Sequence, residues 1–254
     1  GIMARKKALL RHLQAAETLG AVSVICTDKT GTLTKNEMTV QKIWLAGREI
    51  EVTGAGYAPE GGFLKNGRAI EPPLDSDLIA LLDTGRTCNH ARIEKSAQGW
   101  RAIGSPTEAA LMTLAEKAGL NQECDAVTVA EYAFNSTRKM MSLVTESEND
   151  LIAHAKGAAE AVVPLCTHIL VDGRSAILTD SLRAEIERAC RGFALEGLRT
   201  LAMAQKRLSG PEDITQGKVE SGLTFLGVAG FTDPPRPEGH AALEKARSAG
   251  IRVI

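Results

Sequence analysis

The chain has no apolar run long enough to cross a bilayer. Its best stretches, residues 161–171 and 223–231, are short and broken by proline or glycine. It lacks net charge as well: 30 basic residues against 31 acidic ones leave −1, so no global field favours nucleic acid or an anionic membrane. Any anion it binds must therefore be held locally. The five cysteines, Cys26, Cys88, Cys124, Cys166 and Cys190, are odd in number and never stand in C-x-x-C spacing. That argues against a disulfide framework and a zinc site and points to a reducing, cytosolic compartment. The five histidines, His12, His90, His154, His168 and His240, form no ligand spacing and read as structural or surface groups. A phosphate-binding G-x-x-x-x-G-K-[ST] loop is missing too, since Gly217-Lys218 runs into Val219. Residues 3–12 are basic and mildly amphipathic without the apolar core of a secretory signal, so they read as a surface helix and the chain as given reads as soluble. Internal repeats and low-complexity tracts are absent.

What is present suits one large domain or two smaller ones: 254 residues, 44% hydrophobic and 24% charged. Strand patterns occupy 38–45, 49–53, 128–134, 140–145, 151–156 and 201–208. Asn66-Gly67 and Asp172-Gly173, each between short apolar segments, suit type I′ hairpin turns, so an antiparallel sheet fills the middle of the chain. Helices are expected at 76–87, 158–166 and 181–195. Another should start at Ser105-Pro106-Thr107-Glu108, a serine cap with proline first in the helix and glutamate third, and stop at Gly119. The ends read differently. Residues 22–27 and 251–254 are apolar without alternation, as in parallel strands covered on both faces, and 237–249 between them has helical spacing. The pieces imply a strand, helix, strand unit with a whole domain inserted, leaving at 35–39 and returning through 231–236.

The strand ending near Thr27 delivers Asp28 into Lys29-Thr30-Gly31-Thr32. Open α/β sheets place ligands just beyond the carboxyl ends of parallel strands. Hydroxyls, backbone amides and an ammonium there suit a phosphoryl group with its Mg²⁺, and the carboxylate is placed to be a nucleophile forming an acyl phosphate. A bare Asp-Lys-Thr would more often be a turn bonding its own backbone. The full string Asp28-Lys29-Thr30-Gly31-Thr32-Leu33-Thr34 is similar to the motif of the P-type ATPases, the phosphoenzyme-forming ion pumps.

That resemblance covers essentially the whole chain, in order. The segment 134–141, Phe-Asn-Ser-Thr-Arg-Lys-Met-Met, resembles the family's adenine-site hairpin, and Lys156-Gly157-Ala158 its Lys-Gly-Ala motif. Gly197-Leu198-Arg199-Thr200-Leu201 resembles the segment with a phosphate-contacting arginine, and Asp233-Pro234-Pro235-Arg236 the hinge back to the phosphorylation domain. The resemblance implies ATP and Mg²⁺ as cofactors. Asp28 would be the phosphorylated nucleophile, with Lys29 and Thr30 as catalytic neighbours and Asp28 and Thr30 as Mg²⁺ ligands. Glu108, Phe134, Lys139, Lys156, Arg199, Asp233 and Arg236 would form the nucleotide site, Phe134 stacking on adenine, Lys156 at the mouth of the pocket and Arg199 clamping the triphosphate; Arg138 is left open. From the residues alone, Phe134 could equally be core, Glu108 a helix cap, and Lys139 a solvated hairpin charge.

The implied fold is α/β with an α+β insert: an antiparallel-sheet nucleotide-binding domain with flanking helices, set into an incomplete Rossmann-like phosphorylation domain of the haloacid-dehalogenase type. Residues 1–35 and 233–254 would be parts of the phosphorylation domain and 36–232 the nucleotide-binding domain. The family's later Thr-Gly-Asp, lysine and Gly-Asp-Gly-x-Asn-Asp elements are not found, so the chain reads as an ATP-binding fragment, inactive by itself. Its partners would be the actuator, membrane and remaining phosphorylation domains of one pump at the cytoplasmic face of a membrane. The motifs and Gly54-to-Gly61 stretch look most like the calcium, sodium and proton pump branch, with calcium first. Two rivals stand beside this reading. A soluble aspartate-nucleophile phosphatase usually carries a second Asp where Thr30 stands, and the other rival is a non-catalytic nucleotide-binding module.

Overall fold

A computed structural model describes residues 21–97, 99–121, 126–147, 150–236 and 238–254, with the backbone alone at Lys29, Thr30 and Leu74. The helix expected at 3–12 and Cys124 lie outside the described residues. The chain divides into two compact units: one joins the described residues up to Asn36 with those from Asp233 onward, and the other is Glu37–Thr232.

In the first unit, strands β1 (Val24–Ile25) and β15 (Arg252–Val253) pair in parallel, Val24 opposite Arg252. Thr27 N–H extends the pairing by donating to the Ile254 carbonyl at 2.8 Å. The expected burial on both faces is not met, because Val24 and Ile25 remain 44% and 39% exposed. Covering both faces of a parallel sheet takes flanking strands and helices on either side, and the described residues pair only two strands here.

The second unit is built on a mixed, mostly antiparallel sheet of eleven strands. In chain order they are β2 (Thr39–Leu45), β3 (Arg48–Val52), β4 (Phe63–Lys65) and β5 (Arg68–Ile70), then β8 (Val127–Asn135), β9 (Met140–Ser147) and β10 (Asp150–Gly157). They continue with β11 (Cys166–Val171), β12 (Arg174–Ile177), β13 (Arg199–Arg207) and β14 (Leu223–Thr232). The main path runs β5-β4-β3-β2-β14-β13-β10-β9-β8, with β11 attached to β14 and β12 to β11. Both two-residue turns are as the sequence predicts. Asn66 and Gly67 have φ of 53° and 73°, Asp172 and Gly173 49° and 75°, the left-handed pairs that let the hairpin strands keep their twist. A separate hairpin, β6 (Arg92–Ser96) with β7 (Gly99–Ile103), carries no such turn dipeptide and is absent from the sequence reading.

Strand β14 is the centre of the unit, buried along almost its whole length. Its 223–231 run, weighed in the sequence only as a membrane candidate, is apolar because both faces are covered. Leu226, Ala229 and Phe231 join a core with helices α1 (Ser76–Thr87) and α2 (Pro106–Lys117). Leu223, Phe225 and Val228 join a second core that includes the short helix α3 (Ala159–Val162) and the longer α4 (Asp180–Leu195). The helix expected at 158–166 stops early: a 3₁₀ turn at Val163–Leu165 holds Pro164, and Cys166 already begins β11. One further helical turn, α5 (Gln216–Val219), precedes β14, and α6 (Gly239–Ser248) lies in the first unit.

Helix α1 is fixed to the β11–β12 turn by a buried carboxylate. Asp77 accepts from the Asp172 and Gly173 amides at 2.8 and 2.7 Å and from Arg48 Nη2 at 2.9 Å. Asp75 caps the helix through the Leu78 amide and also takes the Arg48 fork. Burial alone would raise the Asp75 carboxyl, but Arg48 and the amide donors hold it below the usual carboxylate value.

Candidate functional site

A cleft of about 580 Å³ opens in the second unit between the start of α2 and the sheet strands β8, β9, β10 and β13. Its size suits a nucleoside-sized ligand. The walls are mostly apolar, with Ala133, Phe134, Met141 and Leu201 facing it, and its polar groups are few: His90, Ser105, Thr107, Glu108 and Lys156. Phe134 is 65% exposed, so this ring is not core. An apolar ring held open toward a cleft is a platform for a flat partner.

Opposite polar character comes from one ion pair. Lys156, on β10 and only 5% exposed, places Nζ 2.6 Å from Glu108 Oε1. The sequence reading of Glu108 as half of a reciprocal cap does not hold: Ser105 stands at the cap position with extended backbone, yet its side chain makes no capping hydrogen bond, and the Glu108 carboxylate turns to Lys156. A buried ammonium without a partner costs several kcal/mol, whereas water satisfies an exposed helix-end amide, so the carboxylate goes where it is worth more. Asn89 holds the helix in place: its amide nitrogen donates to the Glu108 and Gly85 carbonyls at 2.9 and 3.1 Å, and its oxygen accepts from Ala91 N–H.

Gly157 leaves room for a close backbone approach. A Cβ there would lie 2.4 Å from Met140 Cβ and 2.6 Å from the Lys139 carbonyl, so it is the facing hairpin that demands glycine. Cys88, behind the cleft wall, donates weakly to the Met141 carbonyl; burial pushes its thiol up to about 12 against the pull of the Lys156 charge.

The other expected contacts are placed as follows. Arg199 is exposed at the start of β13, two residues before Leu201 and so at the same-face position of the strand. Lys139 sits on the β8–β9 turn with φ of 54° and pairs with Glu160 at 3.1 Å, outside the cleft lining. His90, read from the sequence as structural or surface, lines the cleft with Nε2 3.1 Å from the Glu131 carboxylate. Neither His90 nor Asn89 belongs to a motif, and only the turn after α1 brings them here.

Asp28 belongs to the first unit, exposed just beyond β1 and followed by a wide helical turn at Lys29–Leu33. Asp233 and Arg236 meet this loop across some 200 residues of sequence. Thr34 donates to Asp233 Oδ2 at 2.6 Å, Arg236 Nη2 to the Gly31 carbonyl at 3.1 Å, and Arg236 N–H to the Leu33 carbonyl at 2.8 Å. The second oxygen, Asp233 Oδ1, is buried with no hydrogen-bond partner among the described residues. Among those residues no group of three or more His, Cys, Asp or Glu side chains converges as a metal site.

Comparison with known proteins supplies the context for these two sites. Residues 77–238 match the family model described as P-type ATPase, cytoplasmic domain N. The chain is similar to a calcium-transporting ATPase of Bacillus subtilis, 38% identical over 256 residues, 99% of this chain and 29% of the relative. It is 37% identical to the cation-transporting ATPase pma1 of Synechocystis, again over 99% of its own length and 28% of the relative. The bovine calcium-transporting ATPase type 2C member 1 is 37% identical over 99% of this chain and 25% of its own length. The chain thus spans under a third of the length of these relatives.

Proposed function

The chain belongs to the P-type cation-transporting ATPases, carrying their cytoplasmic domain N, and from that premise we propose that residues 36–232 bind ATP in the cleft lined by Phe134 and the Lys156–Glu108 pair. The observation that carries the reading is the pairing of one exposed aromatic ring with one buried, polar ion pair in a cleft of nucleoside size. Adenine suits both parts. Its face stacks on Phe134, and its ring nitrogens and amino group suit a donor and an acceptor at Lys156 and Glu108. Arg199 and Lys139 supply positive charge for the triphosphate.

In this proposal residues 1–35 and 233–254 are parts of a Rossmann-like, haloacid-dehalogenase-type phosphorylation domain. Asp28 is the phosphoryl acceptor of the whole protein, beside Lys29 and Thr30. A carboxylate oxygen of Asp28 forms the new bond to the γ-phosphorus while the bond to the bridging oxygen breaks, and ADP leaves with that electron pair. Mg²⁺, when bound with Asp28 and Thr30 among its ligands, supplies neutralisation of the phosphate charge. Asp233 and Arg236 serve by holding the loop 31–35 that follows the nucleophile, as their bonds to Thr34, Gly31 and Leu33 suggest. The whole protein would couple this chemistry to cation transport, calcium first, at the cytoplasmic face of a membrane with its actuator and membrane domains.

Calorimetric titration of the chain with ATP tests the cleft directly. Phe134→Ala should weaken binding by about 1–3 kcal/mol, the worth of one stacked base. Unchanged affinity would remove the ring, and with it the adenine assignment, from the proposal.

A further inference from the structure

Successive residues of a strand point to opposite faces of a sheet. Ala133 and Phe134 are neighbours on β8, and both face the cleft. The cause is a β-bulge: Tyr132 pairs with Ser142 and Asn135 with Met140, so Ala133 and Phe134 together stand opposite the single residue Met141 of β9. A bulge of this kind re-aims a side chain and leaves backbone groups out of the ladder.

Those groups are taken up by Arg138. Its Nη2 donates to the Ala133 carbonyl at 2.5 Å and to the Tyr132 carbonyl at 3.3 Å, while Nη1 donates to Glu220 Oε1. Glu220 stands at the end of α5, some 80 residues further along the chain, and its side chain is only 10% exposed. Its carboxylate is itself held, by the Ser142 hydroxyl at 2.7 Å and the Gln216 amide at 3.1 Å. The planar fork of an arginine reaches two carbonyls and a carboxylate at once, which a lysine cannot do. The turn beside it is built separately: Asn135 Oδ1 accepts from Thr137 N–H at 2.8 Å, and the Asn135 carbonyl from Lys139 N–H at 2.6 Å. Losing Arg138 would therefore leave the hairpin closed and release only the bulge.

We propose that Arg138 and Glu220 are positioning residues for the nucleotide site: together they fix the bulge that turns Phe134 into the cleft, so the segment 216–220 sets base affinity without lining the pocket. The inference rests on the cleft being the ATP site and names what tunes it.

The test is a double-mutant cycle on the 254-residue chain, joined to hydrogen exchange without nucleotide. Arg138→Met should weaken ATP binding about tenfold, and Arg138→Lys, which keeps the charge but loses the fork, nearly as much. Glu220→Gln, whose amide oxygen still accepts from Arg138, should lose less. In a Phe134→Ala background Arg138→Met should add less than about twofold, since the ring it positions is gone. Exchange at the Ala133, Phe134 and Asn135 amides should quicken in Arg138→Met while the remaining strands keep their protection. Additive losses, or unchanged exchange at the bulge, would overturn the proposal. Should the unaltered chain fail to bind ATP, the cleft reading falls by itself. Exchange then still judges the pair, faster rates supporting it as the holder of the bulge and unchanged rates overturning it.

Discussion

Replacing Lys156 by methionine keeps the side-chain volume and removes the charge, which isolates the buried ion pair as a cause. Lys156 Nζ lies 2.6 Å from Glu108 Oε1, and the two side chains are 6% and 16% exposed. Stranding one partner of a fully buried pair costs about 3–5 kcal/mol. Here Glu108 keeps some access to water and sits in the first turn of α2, where the free amides and the helix dipole return part of the cost. Lys156→Met should therefore destabilise the unit by about 2–3 kcal/mol at pH 7. Adding Glu108→Gln removes the stranded charge, and the double variant should recover most of that loss, ending within about 1 kcal/mol of the original. Urea unfolding followed by the fluorescence of Trp44 and Trp100 measures both. A single variant costing under about 1 kcal/mol, or a double no more stable than the single, would refute the argument that the pair is desolvated and mutually dependent. ATP titration of the same variants separates fold from function, because the double should regain stability without regaining nucleotide affinity.

The buried imidazole of His154 predicts a pH dependence. Burial pushes it down to about 4, with Asp83 pulling weakly upward, while Thr84 and Thr145 hydroxyls meet its two nitrogens at 3.1 and 3.2 Å. A histidine depressed in the folded state stabilises fully above its unfolded value near 6.5 and loses that contribution as pH falls from there toward 4, about 3 kcal/mol in all. Urea midpoints at pH 7 and 4.5 should accordingly converge in His154→Gln relative to the unaltered chain; an identical pH slope in both would exclude His154 as the source. Cysteine alkylation at pH 8 read by peptide mass should modify the exposed Cys26 quickly. Cys88 and Cys166, whose thiols burial pushes up to about 12, should stay unmodified until the fold opens, and early labelling at either would contradict their burial.

What the sequence determined by itself is what a few neighbouring residues can encode. Asn66-Gly67 and Asp172-Gly173 specify left-handed turns because few other pairs tolerate positive φ at both positions, and the hairpins follow at those places. Helices α1 and α4 begin within a residue of their expected starts because Asp75 and Thr179 can each satisfy a free helix-end amide locally. The motif string from Asp28 to Thr34 needs no fold to be read. Only the tertiary structure decided which groups meet. An apolar run such as 223–231 has the same composition in a lipid span and in a strand covered on both faces, and it became β14 because two cores close over it. The local pattern at Ser105 to Glu108 favoured a cap; a buried lysine from β10 claimed the carboxylate instead, since desolvated charge outweighs an exposed hydrogen bond. The bulge that brings Ala133 and Phe134 to one side has no signature in β8, for it depends on the register against β9 and on a carboxylate from α5's far end. Turn geometry is paid for within four residues, whereas burial and charge pairing are settled by whatever the rest of the chain packs against them.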